Sequence, residues 1–136
     1  MKKKSIVFFS SIFLLLIVFL ISSNSQQEVN KTIISNYTHT EKDIYYVMNQ
    51  AIEHMGQYNL KITDVYYDEK KFKDLERILI QNNDGSIESI VLTMTFKTSF
   101  FTSNTEFGKN QEYQDYELHF IKNKLNKWEL IDGGYS

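Results

Sequence analysis

The hydrophobic period of this chain changes once, from 3.6 residues to two, and that change limits the folds open to it. Ile44, Val47, Met48, Ala51, Ile52 and Met55 recur at i, i+3, i+4, i+7, i+8 and i+11. That spacing lays one apolar stripe along a helix. Thr40 stands before the stripe as an N-cap with Asp43 three residues on, a variant of the capping box. Gly56 follows where a C-terminal cap would sit. The sequence predicts an amphipathic helix over 41–55.

Beyond it the pattern alternates. "LKITDVYYDE" (60–69) is rich in β-branched and aromatic residues and reads as a strand ending in a charged turn. "DLERILIQ" (74–81) reads as a second strand, because "NNDGS" behind it carries the Asp84-Gly85 hairpin signal. Phe72, Leu75 and Leu79 would also suit a helical turn. Ile90, Leu92, Met94, Phe96 and Phe100 then alternate with Ser89, Val91, Thr93, Thr95 and Lys97, giving one apolar and one mostly polar face. Strands over 113–122 and 127–132 follow, the last with Trp128 and Leu130 pointing inward. One helix and then about five strands with short turns predict an α+β domain over 41–136, a curved antiparallel sheet with the helix packed on it.

The segment before that domain has another character. "MKKKSIVFFSSIFLLLIVFLISSNS" sets three lysines before an apolar run over 6–21, the n-region and h-region of an export signal. Two fates fit residues 1–25. Ser23 and Ser25 offer a cleavage site for a signal peptide. Alternatively the run stays in the membrane as a transmembrane anchor, with Lys2, Lys3 and Lys4 inside and the rest outside. Residues 26–40 are polar and read as a tether with a short helical start over 29–37. The expected location is the outer face of the cytoplasmic membrane or the medium beyond it.

Composition narrows the chemistry. The chain has no Cys, so an exported domain must hold by apolar contact, with metal ligands limited to His and carboxylates. Without the three leading lysines, 12 basic residues face 17 acidic ones, a net of −5. That balance argues against nucleic acid as a partner. No P-loop, GxGxxG, HExxH or GxSxG is present. No catalytic residue, metal or cofactor is assigned.

Two groups remain as ligand-binding candidates. Asp115, Glu117 and His119 at i, i+2 and i+4 would project from one strand face, where they could coordinate a divalent cation, pair an acid with a base, or form a solvated face. Tyr66, Tyr67 and Asp68 combine phenols and a carboxylate at a strand end, as a pocket edge or as turn chemistry. His39 has no visible partner, and His54 sits on the flank of the helix stripe.

"YYDE" after an amphipathic helix, then "SIVLTMTF", "YQDYELHFI" and "WELIDGGY", resembles the bacterial exported proteins grouped as domain of unknown function 4829. The likeness covers about 41–135. The layout is more loosely similar to the NTF2-like α+β cones. The family has no established activity, so the resemblance carries no site residue over. It implies an extracytoplasmic module. The leading reading is non-enzymatic binding of a small ligand or envelope protein. The alternatives are a small hydrolase or isomerase using a pocket carboxylate or His, and a structural subunit of a secretion or conjugation apparatus.

Overall fold

The structure, a computed structural model, describes residues 28–135. Residues 1–25, expected as a signal peptide or anchor, lie outside the described residues. Among the described residues no helix is long and apolar enough to cross a membrane. The elements run β1 (Asn30–Ser35), α1 (Glu41–Gly56), β2 (Lys61–Asp68), α2 (Glu69–Asn82), β3 (Glu88–Lys97), β4 (Glu112–Lys122) and β5 (Trp128–Gly134). The fold is α+β, two helices against one five-stranded sheet in the order β1-β2-β3-β4-β5.

α1 forms as its sequence pattern dictates. The Thr40 hydroxyl accepts from the Asp43 N–H at 3.1 Å, and Ile44, Val47, Met48, Ala51 and Met55 are buried. The stripe shares one core with Val65, Tyr67, Leu92, Met94, Phe96 and Leu118. Register explains why these strand residues converge. Val65 lies opposite Met94, Tyr67 opposite Leu92, and Leu92 opposite Leu118, and directly paired residues share a sheet face. Trp128 and Leu130 join that face from β5, half-buried, as their alternation predicts.

Several expectations are corrected. Residues 74–81, expected as a strand, belong to the helix α2. Its start is fixed at the end of β2, where the Asp68 side chain accepts from the Lys71 N–H. Phe72 and Glu76 are buried on its inner side. The Asp84-Gly85 signal makes a helix-to-strand turn: Gly85 has φ +86°, a conformation glycine adopts without a Cβ clash.

The tether reading fails for Asn30–Ser35, and so does the helical start at 29–37, because this segment is strand β1. Val29 and Ile33 pack against the core, while the other strand face stays wet. β1 runs parallel to β2, so the sheet is mixed and not antiparallel throughout. Last, β3 is buried on both faces from Ser89 to Thr95. α2 packs against this strand, and the strand ends at Lys97, leaving Phe100 70 % exposed.

Candidate functional site

β2 stops pairing with β3 at Tyr67–Leu92, and α2 then lies beside the first half of β3. The Val91 N–H there has lost its strand partner, and the Glu76 carboxylate accepts it at 3.0 Å. The buried Tyr67 hydroxyl donates to the same carboxylate at 3.3 Å. Thus one helical side chain substitutes for the missing strand and meets the rule that buried donors find acceptors.

The short connection from β1 to α1 brings His39 onto this carboxylate. Glu69, only 2 % exposed, shapes that connection by accepting the Tyr37 N–H, the Thr38 N–H at 3.1 Å and the Thr38 hydroxyl at 2.5 Å. His39 Nε2 then lies 3.5 Å from Glu76, and Nδ1 lies 3.1 Å from Glu88. Its ring meets Tyr67 and Trp128 edge-on. Glu88 also faces Lys122 at 3.5 Å, and Lys122 reaches Asp43 at 3.2 Å. Residues from both helices and from β2 to β5 therefore meet in one network.

Charge follows from this geometry. Both ring nitrogens of His39 face carboxylate oxygens, which only the doubly protonated imidazolium can serve. Burial opposes that charge, but Glu76 and Glu88 outweigh it and hold the pKa above the ordinary 6.5. Burial would likewise raise Glu69. The Thr38 and Tyr37 donors, with His39 close by, instead hold it below the usual 4.5. The Tyr67 phenol is pushed far up by burial and by the charges of Glu76 and Glu69. Asp43 is held low and Lys122 high by each other against the cost of burial, with Glu88 also raising Lys122.

These shifts predict a stability profile. A proton held more tightly by the folded chain favours folding only while it is bound. The His39 contribution is therefore full below 6.5 and lost as pH rises through its raised pKa. The Glu69 contribution is full above 4.5 and lost as pH falls through its depressed pKa. Both are complete between 4.5 and 6.5, so urea midpoints should peak there. His39→Phe should flatten the alkaline side only. An unchanged alkaline slope in that variant would remove His39 as its cause.

Above the network lies a cleft of about 470 Å³. His39, Glu76 and Glu88 line its floor, Ile80 and Ile87 its apolar walls, and Lys73 and Arg77 its α2 side. Arg77 also pairs with Asp74 at 3.3 Å on the surface. Among the described residues no group of three or more His, Asp or Glu side chains is arranged to hold a metal ion.

None of the six residues singled out from sequence lines this cleft. Tyr67 supports its floor through Glu76. Asp68 is a cap, taking the Ser35 hydroxyl at 2.5 Å as well as the Lys71 N–H. Tyr66 lies on the opposite sheet face, hydrogen-bonded to Thr95 at 2.9 Å. The expected row of three is broken. The β3–β4 register shifts between Met94 and Phe96, and Asp115 has φ +54° and is exposed at that bulge. Glu117 and His119 do stand together, 3.0 Å apart, with Glu117 buried. Sequence reading missed His39, Glu69, Glu76 and Glu88.

Comparison of the chain with protein-family models, curated proteins and solved structures finds no match. The functional reading rests on geometry.

Proposed function

We propose that the protein is a non-enzymatic binding module on the outer side of the cytoplasmic membrane, held there by residues 6–21 or released from it. In this reading the cleft between α2 and the start of β3 takes a small ligand. One observation carries it: every ionisable group on the cleft floor is already engaged by its neighbours. His39 is occupied on both nitrogens, Glu76 by Val91, Tyr67 and His39, and Glu88 by His39 and Lys122. A general base or acid needs a free site for the moving proton, whereas a binding pocket needs an apolar wall with a few fixed polar groups. Ile80 and Ile87 supply the wall, and Lys73 and Arg77 the polar side. The proposal keeps kinship with domain of unknown function 4829 and, more loosely, with NTF2-like cones, supported by α1 laid across the strands.

Ile87 is 53 % exposed, so Ile87→Glu should fold while spoiling the wall. A thermal-shift screen of small amphiphiles on the full chain in detergent should find ligands that stabilise the wild type and not Ile87→Glu. Turnover of such a ligand, abolished by His39→Gln, would replace this reading with an enzymatic one. If no compound distinguishes the two proteins, the cleft reading fails.

A further inference from the structure

Phe100 and Phe101 are 70 % and 78 % exposed, and their rings meet edge-on at 5.6 Å. Single exposed apolar residues are ordinary, but an adjoining pair of aromatic rings marks a contact surface. This pair is held by design of the turn beneath it. The Ser99 hydroxyl accepts the Phe101 N–H, and the Thr102 hydroxyl accepts the Ser99 N–H. Thr102 donates that hydroxyl to the Asn59 carbonyl, and Asn59 donates its amide to the Phe101 carbonyl. Ser103 N–H adds a bond to the Tyr58 carbonyl. All of these leave the two rings free, so the turn stays fixed while its apolar side chains face water.

The topology says what they face. Lys61, at the start of β2, pairs with Lys97, at the end of β3, so the turn lies just beyond that end of the sheet. β1 runs parallel to β2 and begins at Asn30, opposite Asp64. The chain therefore comes into the domain from the same end. Only eight residues, 22–29, separate the apolar run 6–21 from β1, and eight residues reach at most about 26–29 Å. An anchor in the bilayer would keep this end of the sheet, and not the other, at the membrane surface.

The charges agree. Lys61 and Lys97 stand directly opposite one another, a like-charge pairing that costs stability unless an anion lies nearby. Glu112 meets Lys97 at 3.6 Å, which leaves Lys61 uncompensated by any salt bridge among the described residues. Both lysines line a shallow cleft of about 540 Å³ next to the turn.

We propose that the Phe100–Phe101 turn, with Lys61 and Lys97 behind it, is a bilayer contact that seats this end of the sheet on anionic lipid. The inference rests on the anchored form of the proposed function. Aromatic side chains enter the headgroup and acyl boundary while lysines stay with the headgroups. The domain then presents its opposite end, with the α2–β3 cleft, away from the membrane.

The absence of cysteine makes the test clean. The full chain carrying Phe101→Cys or Leu125→Cys is spin-labelled in vesicles of phosphatidylethanolamine and phosphatidylglycerol. Leu125 is 77 % exposed in the β4–β5 turn at the far end of the sheet. Oxygen and a water-soluble nickel chelate should place the label at 101 roughly 5 to 10 Å into the boundary. The label at 125 should be fully open to nickel. Protein that floats with the vesicles but shows both labels in water overturns this contact and leaves the anchor standing, with a protein partner as the remaining use of the turn. Protein that does not float overturns both.

Discussion

Glu76→Ala is expected to lower the unfolding free energy by about 3 to 5 kcal/mol, the scale of breaking a buried ion pair by removing one member. Glu76 is 6 % exposed, and its carboxylate is shared by three groups. Alanine would strand the Val91 N–H, which lies beyond the reach of β2, and the Tyr67 hydroxyl. It would also leave His39 with Glu88 alone. A domain of this size has about 5 to 15 kcal/mol in total, so the variant should sit near the edge of folding. Glu76→Gln keeps an acceptor for Val91 but removes the charge, and should lose about 1 to 3 kcal/mol. The double variant His39→Leu with Glu76→Leu should recover part of the loss, since removing both partners spares the unpaired charge. Urea denaturation followed by circular dichroism separates the three. A Glu76→Ala loss below about 1 kcal/mol, the scale of one ordinary hydrogen bond, would mean that the network does not hold the fold.

What could be read in the sequence divides along the same physical line. α1 was legible because its stripe and its Thr40 cap are local facts. The inward face of β5 at Trp128 and Leu130 followed from alternation alone. α2 was not legible as a helix, because Leu79 and Ile80 before an Asp-Gly turn imitate a hairpin strand. What decides it is the cap at Asp68, the burial of Phe72 and Glu76, and the bond from the Val91 N–H of β3 to Glu76. β1 was hidden by its polar residues, since an edge strand with one wet face needs few apolar ones.

The site was illegible for a further reason. His39 meets Glu88 across 49 positions, and nothing near "NYTHT" hints at it. One signal did exist. Once 69–82 is taken as a helix, Glu69, Phe72, Glu76 and Leu79 fall on a common side. Two carboxylates on a buried stripe require buried donors, which here are Tyr37, Thr38 and His39 beside β1, with Tyr67 and Val91. Asp115 leaves the expected row because a bulge cannot be read from alternation, which continues through it unchanged.

Phe96→Ala should cost about 3 to 5 kcal/mol, as for other fully buried aromatic truncations, and its effect should be uneven across the molecule. Phe96 is completely buried and stacks on Tyr113 at 5.1 Å, with Phe107 and Tyr116 edge-on at 5.0 and 5.5 Å. Those neighbours hold the β3–β4 loop. The Tyr113 hydroxyl accepts the Gly108 N–H at 2.6 Å, and Thr98 donates to the Gly108 carbonyl at 2.6 Å. An empty space at position 96 loosens Tyr113 and Phe107, and with them the base of the turn that carries Phe100 and Phe101. Amide exchange should therefore quicken in 98–111 by more than the global loss explains, while the His39 network at the other end of the sheet keeps its relative protection. Phe96→Leu preserves most of the volume and should lose under about 1.5 kcal/mol. Uniform acceleration throughout the domain would show that the loop has no stability of its own to lose. Selective acceleration would make Phe96 the link between the core and the turn that carries the exposed phenylalanines.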